Sequence, residues 1–202
     1  VPETRRFEVQ GSLQEGVYAK DLVLKFIGDV GFAGLTYMTA EYDGDAICEL
    51  PVHERLVLAN MAIEMGGKAG IAPVDEHTER YLGAEAGVDV DSDDAFLSDA
   101  DASYEAVHTY RGEEIPPQVS KPSNPANAVP VGEVEGTDID QLFVGTCTNG
   151  RFEDVRVVAD VLEGEQLAPG IRMVVVPASK RVYRRMLETE VMDTLVDAGA
   201  VV

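Results

Sequence analysis

The chain has 202 residues, 45% of them hydrophobic, and its 37 acidic residues against 16 basic ones give a formal net charge of -21. This length and composition allow a buried core, whereas so negative a charge disfavours binding to nucleic acid phosphates and to anionic lipids. No apolar run is long enough to span a bilayer. We therefore expect neither a nucleic acid nor a membrane as a partner.

The cysteine content and the charge also predict a cellular setting. Cys48 and Cys147 are far apart in sequence, and two such residues do not make a disulfide framework, which favours a cytoplasmic protein with reduced thiols. The excess of acidic residues fits a salt-rich, halophilic cytosol, because salt screens the self-repulsion of the surface. The chain begins with Val1-Pro2 and ends in an apolar run that resembles the start of a strand, and we expect it to be a piece of a longer chain.

The first predicted elements alternate between strand and helix. Residues 6–10 alternate apolar and polar side chains as a half-buried strand does. Residues 21–28 have the apolar spacing of a helix, which Gly31 ends. Residues 36–42 are rich in strand-forming types and close on the turn Asp43-Gly44.

The longest helical pattern covers residues 54–66. Leu56, Val57, Asn60, Ile63 and Glu64 fall at spacings of three and four, which predicts a shared face, and Gly66-Gly67 predicts the end of the helix. Asn60 and Glu64 would then lie one turn apart and could hold a proton or a bound hydroxyl. The spacing alone fits a surface pair better than a functional one.

After this helix, residues 69–74 predict a short strand, and Asp75 is a good N-cap for a helix over 76–82. Residues 83–104 are small and acidic, which indicates a loop. The aspartates from Asp89 to Asp101 lack the spacing of a calcium-binding loop, so we expect a solvated surface there.

Five prolines and the absence of a helical period in residues 115–131 indicate a boundary. The sequence thus predicts an α/β domain over 1–115, a proline-rich linker over 116–133 and the first half of a second α/β domain over 134–202.

The second half repeats the alternation. Residues 141–145 and 171–176 predict strands, the latter buried on both faces, and residues 151–163 and 180–197 predict helices. The repetition predicts α/β domains of three layers, α/β/α, with mainly parallel sheets. In such sheets functional loops lie at the carboxyl ends of strands, where Cys147 is found.

Cys147 lies in the glycine-rich turn Val-Gly-Thr-Cys-Thr-Asn-Gly-Arg, residues 144–151. Three interpretations stay open: a buried structural thiol, which is the commonest fate of a free cysteine, a nucleophile paired with His53, His77 or His108, and an iron–sulfur ligand. Physical reasoning alone favours the structural thiol. The turn also carries hydrogen-bond donors, and because a thiolate can accept bonds from them, they favour a functional site.

Residues 144–156 resemble the first cluster-cysteine motif of the aconitase superfamily, and most of all that of 3-isopropylmalate dehydratase large subunits. Residues 16–22, 59–71 and 134–139 resemble further parts of the same subunit in the same order, so the similarity covers the whole chain.

The resemblance implies a [4Fe-4S] cluster held by three thiolates, with Cys147 as the first ligand, and a role for Asn60 and Glu64 beside the iron-bound hydroxyl. The family's Cys-x-x-Cys segment, its Asp-Ser-His segment and its serine base are absent from this sequence. The family carries that serine on a small subunit or a C-terminal domain. A small subunit and a hydroxy-acid substrate are therefore the implied partners.

The implied activity of the parent protein is that of a hydro-lyase which converts 2-isopropylmalate to 3-isopropylmalate by dehydration and rehydration in leucine biosynthesis. On this interpretation the chain itself, with one cluster thiolate, is inactive. Homoaconitase, aconitase or a methylmalate-type dehydratase is the alternative within the family. A cluster-free structural or binding module is the alternative outside it.

Overall fold

The computed structural model describes residues 2–91, 98–99, 101–146 and 148–202. These residues form two compact units, unit 1 (Val1–Glu135) and unit 2 (Gly136–Val202). The predicted α/β class with mainly parallel sheets is confirmed. Within the described ranges, we find no helix with the length and apolar character needed to cross a membrane.

Unit 1 is built on a parallel sheet whose strands are in the order β3-β2-β1-β4. Its described strands are β1 (Thr4–Gln10), β2 (Thr39–Asp43), β3 (Ala69–Ile71), β4 (Ala106–Arg111), β5 (Gln118–Ser120) and β6 (Ala128–Pro130). Its described α-helices are α1 (Ala19–Val30), α2 (Asp45–Glu49), α3 (Val52–Met61) and α4 (Glu76–Ala86). The predicted cap of α4 is confirmed, since Asp75 accepts hydrogen bonds from the backbone N–H groups of His77 and Thr78.

The chain winds from β1 to β3 in one direction and then returns to the opposite edge of the sheet at β4. Phe7 and Tyr42 pack with α1 in the core. Alternation along β2 places Glu41 on the other face, and there Glu41 accepts a hydrogen bond from Tyr104, which lies two residues before β4. The described residues just before β4 therefore lie on the opposite face, as a right-handed return crossover requires. The sequence patterns did not predict β4.

A row of rings crosses the middle of this sheet. Phe7 is in register with Tyr42 on one side and with His108 on the other, and Phe26 of α1 packs onto Phe7 with ring centroids 4.9 Å apart. The hydroxyl of Tyr42 is buried and has no hydrogen-bond partner among the described residues. Burial raises the pKa of Tyr42 above its ordinary value, so the unpaired hydroxyl stays neutral.

Replacing Tyr42 by phenylalanine is expected to raise the free energy of unfolding by about 1 kcal/mol, because it removes a desolvated hydroxyl and keeps the packed ring. Tyr104 is the matched control, since its hydroxyl donates a hydrogen bond to the Glu41 carboxylate at 2.6 Å and Tyr104→Phe should destabilise. Urea unfolding of both variants measures the difference. A loss of stability in Tyr42→Phe as large as that in Tyr104→Phe would contradict the prediction.

The segment predicted as a linker folds onto unit 1. Strands β5 and β6 form an antiparallel pair within it, and Asp21 of α1 accepts a hydrogen bond from the backbone N–H of Gln118 at 2.6 Å. Ala128 packs against the core beside Gly28. Pro117 precedes β5 and Pro130 ends β6, and unit 1 ends at Glu135.

Unit 2 has a second parallel sheet and its own core. Its described elements are β7 (Gln141–Val144), α5 (Phe152–Leu162), β8 (Arg172–Val175), α6 (Lys180–Leu187) and α7 (Val191–Asp197). Val201 forms a parallel bridge with Val174. Met173 and Val175 are buried, whereas Arg172 is exposed and Val174 is only half-buried, so the prediction of burial on both faces is wrong for β8 within this chain.

The single helix predicted over 180–197 is two helices in the structure. The Thr189 hydroxyl donates hydrogen bonds to the carbonyls of Arg185 and Met186. These bonds satisfy the end of α6, so the chain can turn before α7 begins. Both helices then direct apolar residues, among them Met186 and Leu195, into one core.

Candidate functional site

Asn60 and Glu64 lie on different kinds of helix. Asn60 belongs to α3, whereas Glu64 belongs to the 3-10 turn Ala62–Met65 that follows it. Gly66 has a φ of 82°, and the N–H groups of Gly66 and Gly67 bond to the carbonyls of Ile63 and Ala62. This left-handed cap tightens the last turn, which explains why the predicted α-helix does not continue to residue 66.

The 3-10 turn changes the relation between the two side chains. It rises about 2.0 Å per residue against 1.5 Å in an α-helix, so Glu64 lies roughly 1.5 Å further along the axis from Asn60 than in a continuous α-helix. Both residues are exposed, as are Leu56 and Ile63 on the same side. Val57 is buried, so the prediction that it shares their face is wrong.

The turn at residues 31–38 borders this exposed side. Leu35 donates its backbone N–H to the carbonyl of Met65 at 2.8 Å, and the Phe32 carbonyl lies near Gly66. Phe32, Tyr37 and Ile63 are 62, 72 and 64% exposed. Asn60 and Glu64 therefore belong to a segment near exposed apolar side chains.

Arg55 is a residue of this region that sequence reasoning missed. Its side chain is almost fully buried and donates to the carbonyls of Cys48, Leu50 and Pro73 and to the carboxylate of Asp75. Partial burial acts to raise the pKa of Asp75, but the bond and charge of Arg55 outweigh it, and the pKa lies below its ordinary value. Arg55 thus ties the start of α3 to the cap of α4. A signal was present, because Arg55 lies three residues before the core residue Leu58.

Cys147 itself lies outside the described residues. The turn around it follows β7 and is held against the end of β8. Gly145 and Gly150 have φ values of 133° and 94°, and a Cβ on either would lie within 3 Å of the Val176 carbonyl. Thr146 also has a positive φ, 86°, a conformation that costs free energy outside glycine and is concentrated at functional sites.

Hydrogen bonds fix the residues after position 147. Asn149 donates to Asp154 at 2.9 Å, Asp154 accepts from the backbone N–H of Arg151, and the Arg151 side chain donates to the Thr148 carbonyl. The Oδ1 atom of Asn149 is buried and has no partner among the described residues. The turn is thus closely packed and retains one unused acceptor.

A [4Fe-4S] cluster with three protein thiolates does not fit the residues of this chain alone. The sequence contains only Cys48 and Cys147. Cys48 belongs to α2 in unit 1, where burial and the nearby carboxylate of Asp43 raise the pKa of its thiol and so disfavour the thiolate. In the part of the chain that the structure describes, no group of three or more His, Cys, Asp or Glu side chains could hold a metal ion.

Comparison with known proteins decides the family. The sequence matches the aconitase family (aconitate hydratase) over residues 1–136 and 132–202. The chain belongs to the aconitase family. It is 50% identical over all 202 residues to 3-isopropylmalate dehydratase large subunit 1 of Methanopyrus kandleri and to the probable large subunit of that enzyme from Methanosarcina mazei.

A relative of another name is almost as similar. The probable methanogen homoaconitase large subunit of Methanosarcina mazei is 47% identical over 199 residues, which is 98% of this chain and 50% of that protein. The two dehydratase subunits are covered over 48% of their length. The chain therefore spans about half the length of the curated relatives it matches.

Proposed function

We propose that the protein to which this chain belongs is a 3-isopropylmalate dehydratase large subunit, which isomerises 2-isopropylmalate to 3-isopropylmalate by removing and re-adding water. The observation that carries the proposal is the 50% identity, over the whole chain, to two proteins of that name. Dehydration breaks a C–O bond and a C–H bond on the neighbouring carbon, and releases water and an alkene. Water then re-adds with the hydroxyl on the other carbon.

Asn60 and Glu64 are the residues of this chain that we assign to the reaction. Their exposure supports the assignment, since neither side chain is committed to the core. The Asn60 amide can donate a hydrogen bond to the substrate hydroxyl, and the Glu64 carboxyl group can hold the proton that leaves with it as water.

The proposed cofactor of the whole protein is a [4Fe-4S] cluster, with Cys147 as one ligand and the other thiolates supplied from outside this chain. When bound, such a cluster supplies an electrophilic iron. The proposed partner is a small subunit, because the relatives are named large subunits. A hydroxy diacid is the proposed substrate, and the proposed location is the cytoplasm.

Turnover by the full-length protein, combined with its small subunit, tests the proposal. Activity is measured with 3-isopropylmalate, homocitrate and citrate under anaerobic conditions. We expect isopropylmalate to give the highest kcat/KM. A preference for homocitrate would favour the homoaconitase alternative, to which the Methanosarcina mazei relative points, and absence of any turnover would contradict both.

We also propose that the protein is adapted to high salt, on the basis of its net charge of -21. Raising KCl from 0.1 M to 2 M is expected to raise the melting temperature, because salt screens the repulsion among surface carboxylates. Differential scanning calorimetry measures the change. A melting temperature that does not rise with KCl would count against salt adaptation.

A further inference from the structure

We propose that Lys68 binds a carboxylate of the substrate, an inference that rests on the proposed function because it requires a hydroxy diacid. Lys68 follows Glu64 by four residues and lies between the left-handed turn at Gly66 and strand β3. It is exposed. The segment that carries Asn60 and Glu64 thus also carries a cation.

The ammonium group of Lys68 contacts an aromatic ring but is not paired with a described carboxylate. Its Nζ lies 4.3 Å from the centroid of the Tyr37 ring, and its backbone N–H donates to the Met38 carbonyl at 2.8 Å. It forms no ion pair with any described carboxylate. This is notable because residues 1–135 contain nine basic and 26 acidic residues.

Five of the other eight cations of unit 1 are paired with carboxylates. The described ion pairs of this unit are Arg5–Glu105, Arg6–Asp43, Lys25–Asp29, Arg55–Asp75, Arg111–Glu113 and Arg111–Glu114. A diacid that approaches Asn60 and Glu64 meets the negative charge of Glu64 and needs a cation nearby. Lys68 is the cation of that same segment.

Backbone strain supports a positioning role for the ring beneath the ammonium. Tyr37 has a φ of 66° although it is not glycine, and this conformation costs about 1 kcal/mol or more. An exposed cation–π contact returns only about 0.5–1 kcal/mol. The turn is held by bonds such as Leu35 N–H to the Met65 carbonyl. Net stabilisation therefore does not explain why Tyr37 lies under Lys68, whereas presentation of an ammonium group to a ligand does.

The test uses the full-length protein with its small subunit and the variants Lys68→Met, Lys68→Arg and Lys121→Met. Lys121 is an exposed lysine of the same unit and controls for the loss of one charge. We expect Lys68→Met to raise the KM for isopropylmalate about tenfold or more, because a charged hydrogen bond to a carboxylate is lost. The kcat should change less, Lys68→Arg should recover most of the affinity, and Lys121→Met should behave as wild type.

A plain dicarboxylate separates binding from a structural role. The inhibition constant of malonate should rise in Lys68→Met by a similar factor, while the melting temperature stays near that of wild type. Equal KM values in Lys68→Met and Lys121→Met, or equal KM increases in Lys68→Met and Lys68→Arg, would overturn the inference while the proposed function stands. No turnover by the wild type would instead reject the proposed function. Should Lys68→Met not fold, Lys68→Gln replaces it with the same expected direction.

Discussion

In the full-length protein with the proposed small subunit, Glu64→Gln is expected to lower kcat by about 10²- to 10⁴-fold, the usual contribution of the general acid or base that we propose Glu64 to be. The substitution keeps the size and the hydrogen-bonding geometry of the side chain but removes the proton that the carboxyl group can exchange. Glu64 is exposed and forms no ion pair with a described residue. We therefore expect the free energy of unfolding to change by less than about 0.5 kcal/mol.

Steady-state kinetics and thermal melting of the same preparation check this prediction. Glu49→Gln is a matched control, because Glu49 is an exposed glutamate at the end of another helix of unit 1, α2. A smaller loss of kcat, of about tenfold, is expected for Asn60→Ala, which removes one neutral hydrogen bond to the hydroxyl. Unchanged kcat in Glu64→Gln would remove Glu64 from the reaction.

Replacing Arg55 by leucine is expected to destabilise the protein by about 3 kcal/mol, because it removes an almost fully buried side chain that donates four hydrogen bonds, although its ion-pair partner Asp75 is partly exposed. The substitution leaves the carbonyls of Cys48, Leu50 and Pro73 without their donor and leaves Asp75 without its cation. Those carbonyls belong to segments that precede α3 and α4. Loss of these hydrogen bonds should loosen the first turns of both helices.

Urea unfolding measures the loss, and Arg80→Leu on the exposed side of α4 controls for the change in charge. Arg55→Lys is expected to recover only part of the stability, because one ammonium cannot reproduce the fork that reaches four acceptors. If Arg55→Leu were no less stable than Arg80→Leu, the bonds seen around Arg55 would contribute nothing measurable.

The loss of stability at acidic pH should depend on the same contact between Arg55 and Asp75. The pKa of Asp75 is lower in the folded protein than in the unfolded chain, so its contribution is fully present above the unfolded pKa and is lost as the pH falls through the folded one. Removing Arg55 takes away the main cause of that lowering. The two residues therefore act as one structural unit.

Local patterns predicted much of the fold because they report burial and caps directly. Apolar spacing placed α1, Asp75 was identified as a cap, and the run at 171–176 located β8. The patterns failed where tertiary contacts decide the structure. Strand β4 follows an acidic stretch and forms because β1 offers an unpaired edge. The prolines of 116–130 indicate a linker, whereas the hydrogen bond from the backbone N–H of Gln118 to Asp21 attaches this segment to α1.

The candidate site was predictable only in part. The spacing of Asn60 and Glu64 drew attention to the pair, and the resemblance to a family gave it a role. Neither indicated the 3-10 turn. An α-helix bonds each N–H to the fourth preceding carbonyl and a 3-10 helix bonds it to the third, and here the left-handed cap at Gly66 decides between them. Lys68 and Tyr37 could not be paired from sequence, because their contact depends on two turns that meet in space.

The packing of Gly145 and Gly150 against the Val176 carbonyl also limits how this turn can diverge during evolution. A side chain at either glycine requires a compensating change at the end of β8, so single substitutions there should be eliminated by selection. Among related chains, the end of β8 should therefore change together with the glycines of the turn and seldom on its own.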